Sequence, residues 1–208
     1  AEAATLDMVE VPADPANSGR QRMLYTVVAR NEVISRHINQ MIVEAGIGLS
    51  VIDIPELSQR NLAALLEDEG RALAMLSFNH QGGLLTFTAG GELYQARQIE
   101  VSLAQLEVED EERQSHIFDR IALELQRSLD NFERQFPYLA VSRLVLAPFP
   151  AREAFREFIT AYLGLRVESF ALDDLLEIDS AGPVMQSLTQ QAQLLGVLGA
   201  ALREGEGA

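Results

Sequence analysis

The residues that could do chemistry are few, and their spacing suits little of it. His37, His80 and His116 lie far apart, and none stands at a ligand spacing from Asp or Glu that would close a metal shell. Two acid-rich stretches, Glu109 to Glu112 and the set Asp173, Asp174, Glu177 and Asp179, lack the glycine and alternating oxygen ligands of a calcium loop. The first of them precedes a helix, whose N-terminus attracts negative charge in any case. Cysteine is absent, which removes thiolate nucleophiles, disulfides and sulfur-bound metals. Lysine is absent too: all 16 basic residues are Arg, so there is no phosphate-binding lysine, no Schiff base and no Ser-Lys pair. The motifs G-x-S-x-G, H-E-x-x-H and G-x-G-x-x-G do not occur. One segment has a pattern with chemical meaning, Ser77-Phe78-Asn79-His80-Gln81-Gly82-Gly83, whose paired glycines between strands can turn backbone N–H groups toward an anion. A plain hairpin turn accounts for the same glycines. No residue is assigned to catalysis or to a metal.

Charge narrows the partners. With 31 acidic against 16 basic residues the net charge is −15, which repels nucleic-acid backbones and anionic lipid headgroups. A composition 48% hydrophobic and 23% charged is that of a globular chain with a buried core. No run approaches the roughly 18 to 20 apolar residues that span a bilayer, so the chain as given is expected to be soluble.

Elements that must position the Ser77–Gly83 segment can be read from periodicity. Residues 1 to 21 are punctuated by Pro12, Pro15 and Gly19 and read as a loop or a frayed strand and turn. Met23 to Ala29 is a β-branched strand, and Asn31 caps a helix with the stripe Ile34, Ile38, Met41, Ile42 and Ala45, ended by Gly46. Leu49 to Ile54 reads as a second buried strand. Pro55 to Glu67 reads as a helix with Leu57, Asn61, Ala64 and Leu65 on one face. This predicts a small β-α-β-α subdomain with parallel strands, occupying residues 1–70.

The texture then changes. Ala72 to Phe78, Leu84 to Ala89 and Leu93 to Ile99 are strands separated by Gly82-Gly83 and Gly90-Gly91. A long helix from Glu111 to Phe136 carries Ile117, Ile121, Leu125, Leu129, Phe132 and Phe136 at helical spacing and stops at Pro137. Val141 to Ala147 is a strand and Ala151 to Leu163 a helix with Phe155, Phe158, Ile159 and Tyr162 inward. Leu165 to Phe170 is a short strand, and Pro183 to Arg203 a helix whose Gly196, Gly199 and Ala200 suit close packing. Residues 71–208 therefore form a second lobe, a mixed sheet opened by hairpins, completed by parallel crossovers and flanked by helices, and 204–208 read as a disordered tail.

The segment Ala122 to Phe136, with its E-x-Q-R-S-x-D-x-F-E-x-Q pattern, followed by Val141 to Ala147, resembles the matching block of MSHA pilus biogenesis proteins of the MshI type and their PilM relatives. Val27 to Val33 with Glu44-Ala-Gly46 and Val51-Ile-Asp53, Gly91 to Ile99, and Leu195 to Arg203 resemble further family segments in the same order, so the likeness runs from about Leu24 to Arg203. The resemblance implies an actin-like ATPase fold with RNase H-like lobes, residues 1–70 being part of the inserted subdomain and 71–208 the second lobe. It also implies that the chain starts inside the inserted subdomain, with the first phosphate loop upstream.

The chain departs from the family where a nucleotide would sit. Ser77-Phe78-Asn79 and then Gln81-Gly82-Gly83 replace the D-I-G and hydroxyl residues of the second phosphate loop, so the metal-orienting carboxylate is missing. Ala147-Pro148-Phe149-Pro150-Ala151 replaces a glycine-rich adenosine loop, with prolines that lack N–H groups. The expected reading is a non-catalytic cytoplasmic scaffold of type IV, MSHA-type, pilus biogenesis. Its phosphate loop at Ser77, Asn79, Gly82 and Gly83 would be degenerate, and no cofactor is expected. The resemblance implies that it clasps the cytoplasmic tail of a PilN-like or MshJ-like inner-membrane protein in an apolar groove whose residues are unassigned. That leaves it peripheral to the membrane and not inserted. An ATP-binding actin-like ATPase of pilus or type II secretion assembly is the alternative, and a homodimer or filament stays open.

Overall fold

The computed structural model describes residues 3–14, 23–108, 110–176 and 187–203. The chain divides into two compact units, Ala1–Ile54 and Pro55–Ala208.

In the first unit, β1 (Ala4–Val11) and β2 (Met23–Arg30) form an antiparallel ribbon in unbroken register from Ala4 opposite Arg30 to Val11 opposite Met23. Helix α1 (Asn31–Ile38) follows β2 directly and continues into a π-helical segment, Asn39–Glu44, in which the Ala45 N–H reaches the Gln40 carbonyl. Two expectations are corrected here. Residues 4–11 form a full strand, whereas 49–54 form none, so the unit is β-β-α and its strands are antiparallel. The run 49–54 is apolar, but Val51 and Ile52 are exposed and no strand among the described residues pairs with them.

The second unit opens with α2 (Pro55–Ala64), which the sequence reading attaches to the first unit but which packs on the large sheet of the second. The sheet comprises β3 (Ala72–Phe78), β4 (Gly83–Ala89), β5 (Glu92–Ile99), β6 (Val141–Leu146) and β7 (Val167–Ser169), in the order β5-β4-β3-β6-β7. The first three strands are antiparallel hairpins; β6 and β7 join by parallel crossovers through α4 (Glu111–Gln135) and α5 (Arg152–Leu163). Every residue of β3 and β4 is buried, as suits central strands covered on both faces. Short helices α3 (Leu103–Leu106) and α6 (Leu172–Leu175) lie in connections, and α7 (Leu188–Ala201) ends the described chain. That last helix is expected from Pro183; residues 183–186 and the tail 204–208 lie outside the described residues.

Each face of the sheet has its own helix pair. On one, α2 and α7 cover Leu73, Met75, Val145 and Ala147 with Leu62, Ala63 and Leu195. On the other, Phe132 of α4 stacks on Phe87 of β4 at 4.6 Å, and Phe118 of α4 meets Phe155 of α5 edge-on at 5.1 Å. In α5 only Phe155 and Ile159 are fully buried, while Tyr162, expected inward, is half exposed.

The buried face of α2 is Ser58, Gln59, Leu62 and Ala63, whereas Ala64 and Leu65 of the expected face are exposed. The helix is turned this way because α7 crosses it at Gly199. A Cβ on Gly199 would stand 2.1 Å from the Ser58 carbonyl oxygen, so the two backbones touch, and the Asn61 side-chain amide donates to the Gly199 carbonyl at 2.9 Å.

Candidate functional site

Successive strand residues point to opposite faces, and this separates the residues at the end of β3. Ser77 turns toward α2, where its buried hydroxyl donates to the Gln59 side-chain oxygen. Phe78 turns toward α5 and packs edge-on against Phe149 at 4.9 Å and 72°. Asn79, His80 and Gln81 form the turn, with His80 and Gln81 exposed.

Within the turn the backbone N–H groups of Asn79, Gln81 and Gly82 are occupied. The Asn79 side-chain oxygen accepts from the backbone N–H groups of Gln81 at 2.8 Å and Gly82 at 3.1 Å. The Asn79 N–H donates to the Gly82 carbonyl at 2.9 Å, and the Asn79 carbonyl accepts from Leu103 N–H at 2.9 Å. A phosphate offers only acceptors, and Asn79 is the acceptor that holds these amides.

The paired glycines have a packing reason. Gly82 has φ 155°, and a Cβ on it would lie 2.8 Å from the Ile99 carbonyl oxygen. A Cβ on Gly83 would lie 2.6 Å from the Phe78 ring. Glycine here lets β5 and Phe78 approach the hairpin.

The 147–151 loop faces this turn from the end of β6. Phe149 is fully buried, held between Phe78 and Phe155, the latter at 6.0 Å. Pro148 and Pro150 carry no N–H, and the Ala147 N–H is spent on the Leu76 carbonyl at 2.9 Å. Ala151 then begins α5 in the left-handed conformation, φ 57° and ψ 17°, without a side-chain cap. Beyond it the loop is clamped. Arg152 donates to the Phe170 carbonyl, and Glu153 accepts from Arg152, Arg156 and Ser169. The Arg156 guanidinium holds the Glu153 carboxyl below its ordinary value, with Ser169 and Arg152 adding to the effect against some burial.

Gln59 is the polar residue that sequence reasoning misses. It is 3% exposed, and its amide nitrogen reaches the carbonyls of Met75 (2.8 Å) and Leu84 (3.2 Å) and the Thr86 hydroxyl (3.0 Å). The available signal is its place three and four residues before Leu62 and Ala63 on the buried helix face. Beside it a crevice of about 40 Å³, lined in part by Ser77, Phe78, Asn79 and Leu195, has room for a few waters. A wider groove of about 340 Å³ runs between β5 and α4, but its arginines are engaged: Arg97 with Glu124 at 3.0 Å and Arg120 with the Glu100 carbonyl at 3.2 Å.

The remaining chemical candidates do not converge. His37, His80 and His116 are all exposed, on α1, in the β3–β4 turn and on α4. Glu109, Glu177 and Asp179 lie outside the described residues, and among the described ones no group of three or more His, Asp or Glu could hold a metal. No helix among them is long and apolar enough to cross a membrane.

No protein-family model matches the chain, and no curated protein matches it. Solved structures do. A chain of a PilM-PilN type IV pilus biogenesis complex aligns over 96% of this chain with TM-score 0.63 and 18% identity. The ethanolamine utilization protein EutJ of Carboxydothermus hydrogenoformans aligns over 85% with TM-score 0.49 and 13% identity. A Bacteroides thetaiotaomicron protein of actin-like ATPase fold and unknown function aligns over 96% with TM-score 0.47 and 9% identity. The chain covers 66% of the PilM-PilN complex chain and 62% of EutJ. Its second unit, a mixed five-stranded sheet between two helix pairs, and its first, a small antiparallel ribbon followed by a helix, make an α/β fold shared with the PilM-PilN complex chain.

Proposed function

We propose that this chain is a non-catalytic scaffold in type IV pilus biogenesis, of the MshI type that serves MSHA pili. It works at the cytoplasmic face of the inner membrane by gripping the cytoplasmic tail of a PilN-like or MshJ-like membrane protein. The observation that carries the non-catalytic part is the Asn79 side chain, which satisfies the Gln81 and Gly82 amides of the would-be phosphate turn. Phe149 supports it, since its ring fills the space between the two loops and is fully buried there. So does Ser77, whose hydroxyl is turned away into Gln59. No carboxylate stands in the 77–83 turn or the 147–151 loop to orient a metal. The residues present do not fit a magnesium nucleotide.

The assembly part rests on the fold shared with a chain of the PilM-PilN complex, together with the family segments quoted above from the sequence. A net charge of −15 favours a protein tail over nucleic acid or an anionic lipid surface.

Two measurements test the proposal. Full-length native protein pulled down from solubilised membranes brings a single-span inner-membrane protein with it; recovery of none sinks the scaffold. Calorimetry with Mg-ATP on this chain and on the full-length protein shows no binding. Tight magnesium-dependent binding by either would establish the nucleotide-binding alternative.

A further inference from the structure

We draw no further inference here: the strongest candidate, the exposed apolar face of the two-stranded ribbon formed by Leu6, Met8, Leu24 and Val28, has nothing in the structure to show what covers it.

Discussion

Two glycines three residues apart on α7 should respond in opposite directions to the same substitution. Gly199 sits at the crossing with α2, where an added methyl would stand 2.1 Å from the Ser58 carbonyl oxygen and 2.7 Å from its carbon. Both belong to backbone, so relief requires the helices to separate by roughly 1 Å. That movement stretches the 2.9 Å hydrogen bond from Asn61 to the Gly199 carbonyl and loosens Leu195 against Leu62 in the core. Overpacking of this kind costs about 1–3 kcal/mol, and the weakened hydrogen bond about 1 kcal/mol more. Against this, alanine is favoured over glycine in a helix interior by about 1 kcal/mol. The balance for Gly199→Ala is a loss of about 2 kcal/mol. Gly196 has open space where its Cβ would go, so Gly196→Ala retains the propensity term alone and gains up to about 1 kcal/mol. Urea unfolding followed by circular dichroism measures both, with the denaturant slope checked for constancy. Equal signs for the two variants, or a Gly199→Ala protein as stable as the parent, would refute the close crossing.

Gln59→Leu should cost about 3 kcal/mol in the same assay, because it strands the Ser77 hydroxyl and removes the donor shared by Met75, Leu84 and Thr86; a loss below about 1 kcal/mol would show that the network carries little. Ala151→Gly should stabilise by about 1 kcal/mol and raise Tm by roughly 2–4 °C, since glycine relieves the left-handed backbone at φ 57° and is the better N-cap, and a lowered Tm contradicts this. Asp68, held down mainly by its hydrogen bond from Arg143, and Glu153, held down mainly by Arg156, both have folded values below their ordinary 3.8 and 4.5. Their contribution to stability is therefore present above those ordinary values and is lost as pH falls through the lowered ones. A stability profile from pH 6 to 2 should fall at the acid end, and Glu153→Gln should flatten part of that fall; an unchanged profile in the variant removes Glu153 from the account.

What could be read from sequence and what could not divides by the range of the interaction. β3, β4 and β5 are runs of apolar residues bracketed by glycine pairs, and α4 repeats its apolar residues every three or four positions, so each announces itself within its own segment. β1 does not. Its residues 4–11 mix both faces, and what makes them a strand is the eight-pair ladder with β2, across a connection of 11 residues, 12–22. The run 49–54 has the opposite history: its composition is that of a strand, but among the described residues no strand forms a ladder with it.

The site follows the same division at the level of single atoms. That Ser77 to Gly83 is a hairpin turn is written in residue types, and the glycines there could serve a phosphate or a close packing contact equally well. The packing use depends on positions that no spacing rule specifies: the Ile99 carbonyl and the Phe78 ring against the missing Cβ atoms, and the Asn79 oxygen on the turn amides. The same holds for α2. Counting Gln59 as polar rotates the predicted buried face toward Leu65, because hydropathy scores a side chain as though it faced water. An amide that finds carbonyls and hydroxyls of the sheet at 2.8–3.2 Å behaves as a core residue, and it carries the polar network that turns Ser77 inward. The inward turn of Ser77 and the self-satisfied Asn79 turn are therefore separate features, one set by α2 and one by the hairpin itself.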